Sequence, residues 1–331
     1  MIPMEIRKVG ILGVGGFVPD RVLTNRELEK MVDTTDEWIQ QRTGIVERRL
    51  VADGEACSHV ATRAARAALE NAKCDPLEID LIIVGTVSGD HVFPSTATLV
   101  QANLGAWNAG AFDMSAACPG FIYAASVGAQ FIATGRYRRV LVIGAEVLSR
   151  LLDFKDRSTC VIFGDAAGAA VLAPFDDTKR AEIIDFSLHA KGGQPELLYM
   201  HAGGSKFPAS HETVEARQHY IRMAGREVYR FAVESMVAMV RRTVEQYGKE
   251  ELALVIPHQM NRRIIESIIE RVNLDPARVF INIEKYGNTS AASVPVALAE
   301  AVNQGRPVPG KLVMLCAVGA GFTWGSIVIR W

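Results

Sequence analysis

The sequence predicts an α/β protein assembled from two related halves, and three observations carry that prediction. Short apolar runs alternate with longer amphipathic ones along 331 residues, as when buried strands alternate with covering helices. The order of elements also repeats. A helix over 120–134 leads through Gly135 and Arg136 to the run 140–143, a glycine-rich turn and the run 169–172. A helix over 290–303 leads through Gly305 and Arg306 to 312–315, the turn 319–321 and the run 326–329. The runs 80–84 and 252–256 precede the two units in the same way. Finally, the turn-rich stretch 174–179, with Pro174, Asp176 and Asp177, falls between the units and divides the chain into 1–174 and 175–331.

In chain order, the runs 9–12, 80–84, 140–143, 169–172, 252–256, 311–316 and 326–329 are strands. Each is apolar and short, and most stop at or near glycine or proline. The segments 58–72, 95–104, 120–133, 224–247, 262–272 and 290–303 are longer and amphipathic, and read as helices. The stretch 191–215 mixes Gly, Pro, His and Ser without a period and reads as a long surface loop. The glycines of 10–16 (GILGVGG) do not make a dinucleotide fingerprint. The third is misplaced, and Phe17-Val18-Pro19 does not open a helix.

Composition excludes several classes. With 49% hydrophobic and 22% charged residues, the chain builds an ordinary globular core. A net charge of −1 argues against bulk attraction to nucleic acid or an anionic membrane. Five cysteines (Cys57, Cys74, Cys118, Cys160 and Cys316) include no C-x-x-C pair, so neither a disulfide framework nor a zinc site is expected. A reducing cytoplasm is the simplest compartment. The N-terminal MIPMEIRKVG carries acid and base where a signal peptide has an apolar run. The apolar stretch 312–322 is too short to cross a membrane.

Three positions stand out chemically. Cys118 follows small residues in Met114-Ser115-Ala116-Ala117-Cys118-Pro119-Gly120 and opens a helical pattern, with Pro119 suited to the first helical position. A helix N-terminus favours thiolate, although a cysteine there is also consistent with an inert buried thiol. His258, in Val255-Ile256-Pro257-His258-Gln259, ends a strand where open α/β sheets place ligands. Asn288, in Tyr286-Gly287-Asn288-Thr289-Ser290, reads by itself as a helix cap. The glycines around Ala320 are either a plain tight turn or a source of N–H groups for an oxyanion. Trp38, Gln40, Arg42 and Thr43 form an aromatic and basic cluster able to stack on a nucleobase and pair with phosphate.

Taken together, eight stretches resemble the β-ketoacyl-acyl-carrier-protein synthase III family, which initiates bacterial type II fatty-acid synthesis. In order they are DEWIQQRTGI, FPSTAT, AACPGF, DRSTCVIFGDAAGA, MAGREVY, PHQMN, YGNTSAAS and GAGFTWGS. The resemblance implies a duplicated thiolase-like α/β fold with layered helices and two mixed five-stranded sheets, and a homodimer. It implies Cys118 as nucleophile, His258 and Asn288 as its partners, and the backbone N–H groups of Cys118 and Ala320 as oxyanion hole. Trp38, Arg42 and Arg157 would hold the CoA nucleotide, with Gly225 and Asn261 along the pantetheine arm. Phe93 would close the acyl pocket of the other subunit and favour acetyl-CoA. Arg230, Arg262 and Arg263 would dock acyl carrier protein, with Arg222, Arg226 and Arg230 spaced along one helical face. The reaction is a decarboxylative condensation of a short acyl-CoA with a malonyl-carrier. It needs no metal and no cofactor beyond the CoA thioester substrate, no nucleic acid and no membrane insertion. Arg226 and Val318 depart from the asparagine and phenylalanine of better-known relatives. A sibling condensing enzyme of secondary metabolism, with another starter or acceptor, is the alternative.

Overall fold

The structure, a computed structural model, describes residues 6–331; the first five residues of the charged N-terminal run lie outside the described residues. Among these, nine strands form one sheet: β1 (Val9–Phe17), β2 (Leu81–Gly85), β3 (Gly110–Met114), β4 (Val140–Val147), β5 (Asp165–Pro174), β6 (Glu182–Ala190), β7 (Leu252–Pro257), β8 (Leu312–Gly319) and β9 (Thr323–Arg330). The principal helices are α1 (Asp36–Thr43), α2 (Cys57–Ala72), α3 (Thr96–Leu104), α4 (Gly120–Ala133), α5 (Gly225–Tyr247), α6 (Arg262–Val272) and α7 (Ser293–Asn303).

The sheet order β7-β8-β9-β6-β1-β5-β4-β2-β3 makes the repeat explicit. Reading outward from the centre, β1-β5-β4 are antiparallel and β4-β2-β3 parallel. In the same way β6-β9-β8 are antiparallel and β8-β7 parallel. The place of a fifth strand in the second block is held by a single parallel bridge, Val255 to Val279. The two expected sheets are therefore blocks of five and four strands. They run on into one sheet because β1 and β6 pair at Val9–Ile183 and Gly10–Glu182.

Helices α4 and α7 touch strands of both blocks. Both are apolar on nearly all sides, with Phe121, Ile122, Ile132, Val294 and Leu298 buried, and a helix of that kind has to lie inside. Gly144 lets this layer close: a Cβ there would lie 2.2 Å from the carbonyl oxygen of Ala291. The loop 191–215 is less plain than its composition suggests. It contains the short strand Leu198–Met200, which pairs only with Ile221–Met223 in a two-stranded ribbon, and a short helix, His211–Glu215. Arg222 lies on that ribbon and not on α5, whose first residue is Gly225, so the expected face of three arginines is reduced to Arg226 and Arg230. All five cysteines are free and buried. No helix among the described residues is long and apolar enough to cross a membrane.

Candidate active site

Equivalent points of the two halves supply the central residues. Cys118 lies just before α4, and Asn288 lies just before the short 3₁₀ turn Ser290–Ala292 that leads into its counterpart α7. His258 follows the end of β7, and its own N–H donates to the carbonyl of Cys316 at 2.8 Å. All three side chains line one cavity, with Phe163, Gly225, Asn261, Val318 and Phe322 among its walls. The backbone is held in the left-handed region at Ala117 (φ 50°) and Ser290 (φ 48°), beside Cys118 and Asn288. Strain of this kind persists only where the surroundings enforce it. Gly319 is obligatory for a different reason: a Cβ there would meet the Cys118 nitrogen at 2.7 Å.

Burial pushes the Cys118 thiol up to about 12, against the opposing pull of the Ser290 hydroxyl and of the Cys118 and Ala320 N–H groups beside the sulfur. Burial thus opposes the thiolate that a helix start favours. Pro119 is the cap of α4 rather than its first residue, so Cys118 lies one position outside the helix, and desolvation outweighs the dipole. The other four cysteines are also raised, first by burial, and the fully buried Cys57 and Cys316 have no access to this cavity.

His258 is driven down to about 3 by burial and stays neutral. Its Nδ1 lies 2.5 Å from Ser293 Oγ, while its buried Nε2 has no hydrogen-bond partner among the described residues. Asn288 is fixed by its backbone: its N–H donates to Ile162 and its carbonyl accepts from Gly164. Its Oδ1 accepts from the Ser290 N–H at 2.8 Å, so its donor end is free to meet a ligand.

A second cavity reaches Cys118 from the other side, lined by Val87, Leu148, Leu151, Phe163, Met200 and Ile221 among others. Phe93 is not part of it in the single chain; it stands 84% exposed beside Val92, which is 92% exposed. At the mouth of the first cavity Asn261 caps α6 and donates from Nδ2 to the Arg42 carbonyl at 3.0 Å. Trp38 is flanked by two guanidinium groups, Arg157 at 5.4 Å and Arg42 at 5.9 Å from its ring centre. Arg230 and Arg263 are exposed, whereas Arg262 pairs with Glu266 at 3.0 Å.

Comparison with known proteins now decides the family. The family model described as 3-oxoacyl-(acyl-carrier-protein) synthase III matches residues 112–192, and its C-terminal counterpart matches residues 243–331. The β-ketoacyl-acyl-carrier-protein synthase III of Caldanaerobacter subterraneus subsp. tengcongensis is 52% identical across 97% of each chain. That of Symbiobacterium thermophilum is 52% identical across 99% of each. The chain belongs to the β-ketoacyl-acyl-carrier-protein synthase III family. The structure of 3-oxoacyl-acyl-carrier-protein synthase III from Aquifex aeolicus VF5 superposes with a TM-score of 0.88 at 47% identity, covering 98% of this chain and all of that one. The fold is thiolase-like, as expected, and the activity is that of an acyltransferase-type condensing enzyme initiating fatty-acid synthesis. The secondary-metabolism alternative is not favoured.

Glu146, Ser290 and Ser293 also meet the central residues, and no spacing of motifs marks them. Glu146 is fully buried in β4, where desolvation raises it to about 7. Its carboxylate accepts from Ser88 Oγ at 2.5 Å and Ser290 Oγ at 3.0 Å. A glutamate inside the run 140–147 was the available clue, since a carboxylate is seldom fully buried without several donors.

Proposed function

We propose that Cys118 takes the acyl group from a short acyl-CoA and that His258 and Asn288 serve decarboxylation of a malonyl group carried on acyl carrier protein. What carries this reading is the convergence of one thiol, one neutral imidazole with an open Nε2 and one amide on a single cavity. Attack of the thiol on the thioester carbonyl forms the S–C bond and expels the CoA sulfur, which takes the thiol proton. Negative charge on the carbonyl oxygen meets the N–H groups of Cys118 and Ala320, each such donor typically worth about 3 kcal/mol. Loss of CO₂ from the malonyl thioester then leaves an enolate. With Ser293 donating to Nδ1, the His258 proton sits on Nε2 and faces that oxygen beside the Asn288 amide. The enolate carbon attacks the acyl-cysteine carbonyl to form the new C–C bond, and the cysteine sulfur leaves and takes a proton from water. No step draws on a metal or redox group. Trp38, Arg42 and Arg157 would stack and pair with the CoA nucleotide, and Gly225 and Asn261 would pass the pantetheine arm. The halves 1–174 and 175–331 would act as one unit in a cytoplasm that keeps the thiols reduced.

A homodimer completes this reading. The edge strand β3 has only one strand neighbour, and the adjoining Val92 and Phe93 are left uncovered. A partner's Phe93 would then fill the far end of the acyl cavity. Intact-mass measurement with acetyl-, isobutyryl- and octanoyl-CoA tests both points. Acetyl should add fastest in the wild type, and Phe93→Thr should raise the relative rate of the larger chains about tenfold or more. Free acid in place of an acyl-enzyme would make the protein a hydrolase; an unchanged ranking would clear Phe93 of the role.

Carrier docking is proposed for Arg263 and Arg230, with Arg262 alongside. Arg262 and Arg263 open α6, whose first turn holds no acidic residue. Positive charge at a helix N-terminus costs roughly 0.3–1 kcal/mol, so helix stability does not account for this placement, whereas an acidic partner does. Arg263→Glu should therefore leave the fold as stable or slightly more so. Its KM for malonyl-carrier should rise about tenfold, while acylation by acyl-CoA stays unchanged. Equal loss with both substrates would remove the docking role.

A further inference from the structure

The acyl cavity has one wall that the main sheet does not hold. Leu198, Tyr199, Met200 and Ile221 reach it from the two-stranded ribbon Leu198–Met200 and Ile221–Met223. That ribbon pairs with no strand of the nine-stranded sheet, and an isolated two-stranded ribbon is marginal in water. Ile221 packs on Leu148, Leu152 and Phe163, and a cluster of ion pairs ties the ribbon and the residues leading into it to the segment after Leu152. Arg217 donates from Nε to Asp153 Oδ2 at 2.9 Å and from Nη2 to Asp153 Oδ1, a bidentate pair. Arg222 donates to Asp156 Oδ2 at 3.1 Å and to the Arg217 carbonyl at 3.1 Å. Asp153 is only 5% exposed, so this contact is better sheltered from solvent than a surface ion pair. Its anchor segment follows directly on Leu148–Leu151, which supplies the opposing wall.

Beyond the ribbon lies a further cavity, lined by Glu55, Cys57, Ser88, Asp90, His91 and Arg150 among others. Val87, Leu151 and Met200 line both spaces and so form the partition between them.

We propose that Arg217 and Arg222 are positioning residues for starter length: clasped to Asp153 and Asp156, they hold Met200 and Ile221 against Leu148 and Leu151 and close the acyl cavity to chains that would pass the partition. This rests on the assignment of that cavity as the acyl pocket. The clasp residues line neither cavity, but the ribbon they hold also gives Leu198 and Met223 to the cavity reached by CoA, so the discriminating readout is the ratio between long and short starters and not either rate alone.

The test is the ratio of kcat/KM for Cys118 acylation by octanoyl-CoA to that by acetyl-CoA, measured on the full chain. Arg217→Gln and Arg222→Gln are each made, with thermal melting to show that they fold, and Met200→Ala serves as a probe of the partition. The ratio is expected to rise about tenfold in the clasp variants and in Met200→Ala. A ratio raised by Met200→Ala but untouched by both clasp variants overturns the clasp and leaves the pocket assignment standing. A ratio moved by none of them overturns both. Equal losses with the two substrates in folded clasp variants make the ion pairs structural only and also overturn the proposal.

Discussion

Replacing Cys118 by serine should leave no acyl-enzyme after incubation with acetyl-CoA, and turnover should fall by about three orders of magnitude or more. The reason lies in the burial of the site. Desolvation already holds this thiol at about 12, so its attack depends on the softness and intrinsic nucleophilicity of sulfur. A serine hydroxyl in the same place begins with a higher pKa and gives up its proton less readily. Its N–H and that of Ala320 would remain, so binding of acyl-CoA should survive. Substitution of Cys57, Cys74, Cys160 or Cys316 should leave acylation intact, because none lines either cavity that reaches Cys118 and burial raises each. Peptide mapping of the acyl group decides the matter; acylation at any of these four would displace Cys118 from its role.

His258→Ala and Asn288→Ala should separate the two half-reactions. Loss of one donor to a developing oxyanion typically costs about a hundred- to a thousandfold. That cost should fall on malonyl decarboxylation, followed by release of CO₂, and much less on acyl transfer to Cys118, where the proton can pass to the departing CoA sulfur. The pH profile adds a check. Since burial holds His258 down to about 3, it is neutral at every pH above that, and decarboxylation should show no acid limb at the ordinary histidine value of 6.5. Ser293→Ala removes the partner of Nδ1 and should move the same half-reaction in the same direction. Equal losses in both half-reactions would end the enolate role, whereas a limb near 7 would report Glu146, which burial raises to about that value.

Much of the architecture was legible because it depends on local pattern. The helix read over 120–133 is observed as Gly120–Ala133, and that over 262–272 as Arg262–Val272, since apolar spacing and caps are properties of the residues themselves. Strand β6 was not read. Its residues EIIDFSLHA are half-buried and owe their extended form to β9 alongside and to the start of β1. Strand β4 runs on to Val147, past Gly144 and Glu146, because neighbouring backbone and four donors to the glutamate supply what the sequence pattern lacks.

The site divides in the same way. By itself the sequence placed Cys118 before a helix, His258 after a strand and Asn288 before an equivalent helix, because a repeated order of elements puts equivalent ends together. Only the tertiary structure decided their chemistry. Burial pushes the Cys118 thiol up and holds His258 down, with one of its nitrogens engaged and one open. Phe93 stands outside the cavity of its own chain, while a salt-bridged ribbon lines one wall of that cavity. Desolvation and ion pairing depend on which groups meet across long stretches of chain, and no spacing along the chain encodes them.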